Sequence, residues 1–191
     1  SKYVQSSTRN TFSEVKKYLL KNSLVLFSGT PCQIAGLKSF LGKEYDNLLT
    51  VDVVCHGVPS PYVWKLYVQA MERKYGGRVK NISFRNKKTG WKKYSILMEF
   101  ENNKLYQIQY TDDMFMRGFL ANIFLRPSCY QCEFKEKNYW SDFTLGDFWG
   151  IQNVSAKIDD NKGVSVMLVN TKKGKEMLES IKEKISFGRV E

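Results

Sequence analysis

Two short apolar runs, at residues 24–27 and 48–54, each break into a turn carrying glycine and proline and then into a helix-period stripe. The first turn is Ser28-Gly29-Thr30-Pro31, followed by Ile34, Leu37, Phe40 and Leu41 at positions that share one face of a helix. The second is Cys55-His56-Gly57-Val58-Pro59, followed by Ser60-Pro61, an N-cap with proline at the first helical position, and then by Val63, Tyr67, Ala70 and Met71. Apolar runs this short suit buried strands. Strand, helix, strand, helix in that order restricts the fold to a parallel βαβ arrangement.

The flanks add to this frame without overturning it. Thr11-Phe12-Ser13-Glu14 has the form of a capping box, and Val15, Tyr18 and Leu19 continue a helix that ends near Asn22. Residues 79–84 read as a strand, and Ile96, Met98 and Phe100 alternate with more polar neighbours. Asn102-Asn103 supplies a hairpin turn before Tyr106, Ile108 and Tyr110. Asp112-Asp113 opens a helix with Met114, Phe115, Phe119 and Leu120. Residues 143–145 lead into the glycine- and aromatic-rich Gly146-Asp147-Phe148-Trp149-Gly150. Residues 163–169 read as another buried strand, and 173–184 as a last helix carrying Met177, Leu178 and Ile181. The expected fold is α/β: a mostly parallel core sheet flanked by helices, with an inserted antiparallel hairpin, in a single domain over 1–191.

A chain of 191 residues, 42% apolar and 14% aromatic, is long enough to bury a core and too apolar to be disordered. No apolar run approaches the roughly 18–20 residues that span a bilayer. Ser1-Lys2-Tyr3-Val4-Gln5 has neither an initiator methionine nor signal-peptide character, which points to a fragment of a longer, cytoplasmic protein. The net charge is +11, and nine Lys or Arg residues fall between Arg73 and Lys93 with no acid among them. Such a run is either a solvated face or an attractor for a redox partner protein or an anionic cofactor. No helix-turn-helix, zinc-finger or RNP pattern accompanies it, which argues against nucleic acid.

All four cysteines fall in places with chemical meaning. Cys32 and Cys55 follow the two strand-like runs, and Cys129-Tyr130-Gln131-Cys132 forms a C-x-x-C knuckle. In an open parallel sheet, ligands collect outside the carboxyl ends of the strands. Paired neighbours lie about 4.8 Å apart, so two strand-end thiols and a knuckle can supply one iron–sulfur cluster or one zinc. Alternatives stay open at this level. Cys32 and Cys55 can be small buried hydrophobes, or Cys32, near a helix N-terminus, can be a reactive thiol with His56 as its base. His56, the only histidine, equally suits a donor behind a set of ligands, or a plain turn residue.

Longer stretches of sequence carry a resemblance. Phe27-Ser28-Gly29-Thr30-Pro31-Cys32-Gln33-Ile34-Ala35-Gly36-Leu37 and Cys55-His56-Gly57-Val58-Pro59-Ser60-Pro61 strongly resemble the C-terminal domain of coenzyme F420 hydrogenase/dehydrogenase beta subunits. So do Phe84-Arg85-Asn86-Lys87 with Gly90-Trp91, Arg126-Pro127-Ser128-Cys129-Tyr130-Gln131-Cys132, and Ser141-Asp142-Phe143-Thr144-Leu145-Gly146-Asp147-Phe148-Trp149-Gly150. The resemblance runs from about Tyr3 to Thr171 and is closest to the bacterial branch, often encoded near polysaccharide-biosynthesis genes.

It implies an iron–sulfur flavoprotein oxidoreductase that moves electrons between a [4Fe-4S] cluster, FAD and a soluble hydride carrier such as coenzyme F420. Cys32, Cys55, Cys129 and Cys132 are then the cluster ligands. The implied cofactor-contacting residues are Ser28, Gly29, Thr30, Gln33, His56, Gly57, Arg85, Lys87, Trp91 and Asp147. Glycines at 29 and 57 would let backbone amides approach a pyrophosphate or a cluster sulfur. Arg85 and Lys87 suit phosphate pairing and Trp91 suits ring stacking, although a water-exposed basic hairpin explains them too. Asp142 and Asp147 can hold a ribose or an arginine, or cap turns.

Longer relatives carry an N-terminal ferredoxin-like segment, the implied partner of this part of the chain. One departure stands out: relatives frequently have Arg before the Ser-Asp step, where this chain has Asn138-Tyr139-Trp140. The competing readings are a non-redox binding or scaffold domain and a zinc-stabilised domain, either linked to polysaccharide biosynthesis.

Overall fold

Glycine and proline punctuation sets the element boundaries. A computed structural model describes residues 3, 4, 6–88, 90–134 and 140–188. In chain order the first half holds α1 (Thr11–Leu20), β1 (Val25–Gly29), α2 (Pro31–Leu41), β2 (Leu48–Val53), α3 (Pro61–Tyr75), β3 (Val79–Asn86) and β4 (Ser95–Phe100). The second half holds β5 (Leu105–Gln109), α4 (Met114–Leu120), α5 (Pro127–Tyr130), β6 (Phe143–Asp147), α6 (Ile151–Val154), β7 (Ser165–Val169) and α7 (Lys172–Ile181). Among the described residues no helix is long and apolar enough to cross a membrane.

The chain divides into two compact units that interleave along the sequence. One comprises residues 7–55, 133–160 and 164–191, and its sheet runs β1-β2-β6-β7. β1 pairs with β2, and β2 with β6, in parallel, while β7 runs antiparallel to β6. Prolines and glycines frame its first helix as the sequence implies: Pro31 starts α2 and Gly42, at φ 71°, ends it. Ile34, Leu37 and Leu41 pack with Val15, Leu19, Phe27 and Leu48.

Three expectations are corrected in this unit. Phe40 is 46% exposed and lies on the flank of the α2 stripe, against Phe12. The strand at 163–169 is not buried: β7 is an edge strand with Leu168 and Val169 open to solvent. Thr11 is the first residue of α1 and not its cap, which is Asn10 with no side-chain hydrogen bond, so the capping box does not form.

The other unit comprises residues 1–6, 56–132 and 161–163, of which residues 1, 2, 5 and 89 lie outside the description. Its antiparallel sheet runs β3-β4-β5, with Asn103 at φ 63° in the hairpin turn. The period-2 alternation places Ile96, Met98 and Phe100 in a core with Tyr67, Met71, Phe84, Phe115, Met116 and Phe119. Ser60 caps α3 by accepting the Val63 amide, and Asp113 caps α4 by accepting that of Met116.

In α4, Gly118 faces Phe124, and an added Cβ would overlap that ring. Gly118→Ala is therefore expected to cost about 2 kcal/mol, in the range of overpacked cores. Phe124→Leu in the same chain should recover part of the loss in thermal midpoint. A Gly118→Ala protein that melts with the wild type would show that the ring can move aside freely.

Candidate functional site

The β1–β2 ladder ends on the rung Gly29–Asp52. Cys32 and Cys55 each lie three residues beyond it, so the two strand-end cysteines leave paired parallel strands in step. Beyond Gly29, the Thr30 amide donates to Gln33 Oε1 at 2.9 Å, and Thr30 Oγ1 lies 3.2 Å from Cys32 Sγ. The Gln33 side chain folds over Gly29, where an added Cβ would come within 3.0 Å of Oε1 and 3.2 Å of the Gln33 Cβ, so a side chain at 29 would press Gln33 out of place. Cys32 itself is exposed. Beyond Val53, the Val54 amide continues the pairing to the Leu145 carbonyl at 2.8 Å. Asp147, the end of β6, is exposed on the same carboxyl side of the sheet.

In the other unit, His56 and Gly57 belong to the surroundings of the knuckle. His56 Nε2 lies 3.2 Å from the Phe119 carbonyl oxygen, and its ring packs on Phe119 with centroids 4.7 Å apart. Gly57 has φ 140°, and a Cβ there would meet Leu125 at 3.0 Å and Cys129 Cβ at 3.6 Å. A side chain at 57 would thus be strained and would crowd the Cys129 helix.

That helix is held from both sides. Ser60 and Arg126 amides donate to the Phe124 and Val58 carbonyls, each at 2.8 Å, so the two segments clamp each other just before Pro127 opens α5. The Tyr130 hydroxyl accepts from the Leu125 amide and donates to the Asn122 carbonyl, fixing the loop between. Cys129 sits on this one-turn helix and Cys132 follows two residues after its end.

Arg85 and Trp91 come together elsewhere in this unit. The Arg85 guanidinium lies 5.9 Å from the Trp91 ring centroid and 4.9 Å from that of Tyr94. Trp91 is only 2% exposed, and a Cβ on Gly163 would come within 2.6 Å of its indole nitrogen, so its ring packs against protein. Lys87 is exposed beside it in sequence. Of the nine cations between 73 and 93, all but Arg85 lie exposed. Asn138 and Tyr139 fall outside the described residues; Trp140 is exposed.

Asp142 binds within the protein. Its carboxylate accepts from the Thr50 amide, the Thr50 hydroxyl and the Thr171 hydroxyl. Burial alone would raise its pKa, but these donors and the charge of Lys173 outweigh it and hold the carboxyl below its ordinary value. Asp52 was not among the sequence candidates. It is 2% exposed, with Oδ1 buried and without a hydrogen-bond partner among the described residues. Its signal was available as the acid inside Val51-Asp52-Val53-Val54.

Two of the four cysteines belong to each unit, and none of the four is in a disulfide. Within neither unit do three or more His, Cys, Asp or Glu side chains gather as a metal group among the described residues. In donor chemistry the four thiols fit an iron–sulfur cluster, which takes four thiolate ligands.

Comparison with known families matches residues 22–190 to the family described as coenzyme F420 hydrogenase/dehydrogenase, C terminus of the beta subunit. The match leaves α1 outside and continues past Thr171, where the resemblance read from the motifs stops. A search of curated proteins gives no match.

Proposed function

Since the chain belongs to the family of C-terminal domains of coenzyme F420 hydrogenase/dehydrogenase beta subunits, we propose that it is an oxidoreductase module with Cys32, Cys55, Cys129 and Cys132 as ligands of a [4Fe-4S] cluster. A flavin and a soluble hydride carrier, coenzyme F420 or another, complete the electron path. Such a flavin exchanges electron pairs with the carrier and single electrons with a cluster. The observation that carries this reading is the placement of the cysteines: Cys32 and Cys55 each stand three residues beyond the last rung of a parallel ladder, and Cys129 lies on a helix clamped from both sides with Cys132 two residues past its end.

The residues have definable tasks in this reading. Thr30, whose hydroxyl lies 3.2 Å from Cys32 Sγ, is placed to donate a hydrogen bond to a ligand thiolate there. Gly29 and Gly57 keep side chains away from the backbone beside Cys32 and Cys129. Tyr130 and the 58–60/124–126 clamp hold α5 in place. The exposed lysines and arginines between 73 and 93 draw in an acidic partner or an anionic carrier.

Anaerobic reconstitution with iron and sulfide, followed by metal and flavin analysis, tests the proposal. The wild-type chain is expected to take up about four irons, and Cys32→Ser, Cys55→Ser, Cys129→Ser and Cys132→Ser should each lose most of them. Purified protein carrying one zinc per chain would turn the reading toward a zinc-stabilised domain. A colourless, iron-free reconstituted wild type would leave the scaffold reading in its place.

A further inference from the structure

Among the described residues three aspartates are buried, and two of them are fully supplied with donors. Asp113, fully buried, receives the Met116 amide and the Tyr67 and Tyr106 hydroxyls. Asp142, 3% exposed, receives the Thr50 amide and the Thr50 and Thr171 hydroxyls. Asp52 is as deeply buried as these, yet its Oδ1 meets no donor among the described residues. A buried acceptor without a donor is costly, and natural structures keep few of them.

The place of this exception matters. Asp52 is the next-to-last residue of β2; across the ladders it faces Gly29, the last residue of β1, and Thr144, the second residue of β6, so it stands at the carboxyl ends of β1 and β2 and beside the start of β6. The order is strand, glycine turn, helix, adjacent parallel strand, then an acid 23 positions beyond Gly29. In nucleotide-binding βαβ units an acid at this point of the second strand accepts the hydroxyls of a ribose. The turn, Gly29-Thr30-Pro31-Cys32, lacks the G-x-G-x-x-G sequence that cradles a pyrophosphate in those units, so the likeness is confined to the ribose end. On the β1 side the neighbouring rung has no side chain of its own, and the group lying over it is Gln33. Gln33 holds the Thr30 amide through Oε1 and can swing away on its three side-chain torsions.

We propose that Asp52 is the hydrogen-bond acceptor for the hydroxyl pair of an adenine-nucleotide ribose, bound at the carboxyl ends of β1 and β2. Where the nucleotide is the adenosine part of FAD, this rests on the flavin reading above; a free adenine nucleotide presents the same hydroxyls.

The test titrates the wild-type chain, Asp52→Asn and Asp52→Val with FAD, FMN and ADP by calorimetry, and records the melting of each ligand-free protein. FAD and ADP should bind the wild type; Asp52→Val, which removes both hydrogen bonds, should weaken each by about 30-fold or more, and Asp52→Asn, which keeps one acceptor oxygen, by a smaller factor of about 5. Ligand-free Asp52→Val should melt at or above the wild type, because it removes a buried carboxyl oxygen, Oδ1, that meets no donor among the described residues. Variants that bind FAD and ADP like the wild type overturn the proposal. So does an Asp52→Val protein that melts several degrees lower, which would reveal an internal donor to the carboxylate. FMN binding as tightly as FAD, with ADP not binding, overturns the ribose assignment. ADP binding without FAD sinks the flavin reading and leaves Asp52 in its role; binding of neither overturns both.

Discussion

Asp113→Ala is expected to lower the stability of its unit by about 4 kcal/mol, a large part of the 5–15 kcal/mol that usually holds a domain folded. Three interactions go at once. Oδ1 accepts the Met116 amide at 2.8 Å, and removing an N-cap alone costs about 1 kcal/mol. Oδ2 accepts the Tyr67 hydroxyl at 2.5 Å and the Tyr106 hydroxyl at 2.9 Å, from side chains 46 and 7 positions away. Without the carboxylate, the phenol of buried Tyr67 has lost its acceptor and that of Tyr106 must find water, each at about 1–3 kcal/mol. Burial, reinforced by Asp113, pushes both phenols well above their ordinary pKa, so both remain donors throughout the neutral range. Asp113→Asn keeps an acceptor and the cap but brings an NH2 to the site, and about half the loss is expected. Urea unfolding followed through Trp64, which packs on Tyr67 and Phe115, gives the readout. A loss below about 1 kcal/mol for Asp113→Ala would mean that the phenols find other partners and that the network is idle.

The parts of the fold legible in the sequence are those fixed by neighbours in the chain. Ser60-Pro61 caps a helix wherever it is placed, and the spacing of Ile34, Leu37 and Leu41 turns them to one side of any helix. The parallel βαβ unit follows from such local signals. Phe40 fails because it lies at the margin of the stripe, where whether it is covered depends on what α1 brings to it. The strand at 163–169 is apolar enough to be central, but its place in the order of the sheet is a tertiary property; as an edge strand it has only β6 beside it. Nor does composition show the division into two units, since one of them takes only three residues from the segment 161–163.

For the candidate site, the glycines were the readable part. Gly29 and Gly57 each stand where a Cβ would collide, which is the meaning a glycine beside a cysteine turn carries in sequence. Trp91 carries no such meaning: an indole in a basic hairpin serves as a stacking platform or a core residue, and only the approach of Gly163 distinguishes the two. Asp113 joins Tyr67 and Tyr106 through space, so no local pattern could find the network. Asp52 differs again. Its burial is implied by the apolar run around it, but the missing donor becomes visible only when every neighbour has been placed.

Asp142→Asn is expected to cost about 3 kcal/mol near neutral pH, and the loss should shrink as the solution is made acid. The residue joins three elements. Its carboxylate accepts the Thr50 amide and hydroxyl of β2, both at 2.8 Å, and the Thr171 hydroxyl at 2.6 Å. Thr171 in turn caps α7 by accepting the Gly174 amide at 3.0 Å. Gly174 is required there, because a Cβ would come within 2.6 Å of the Asp142 carbonyl oxygen. An asparagine can satisfy only part of this set, since one of its two side-chain heads is a donor facing donors. The sign of the pH effect follows from the lowered folded pKa. Above the ordinary value of 3.8 the carboxylate is ionised in folded and unfolded chains alike, and its full contribution is present. As pH falls through the ordinary value, the unfolded chain takes up the proton first and the contribution begins to fade; it is gone once pH has passed below the folded value. Urea midpoints of wild type and Asp142→Asn, measured from about pH 7 to about pH 2, should therefore converge. Parallel curves would show that the loss comes from shape and packing and not from the carboxylate's charge, and Thr171→Val, which removes one donor and the α7 cap together, would then be the larger perturbation at every pH.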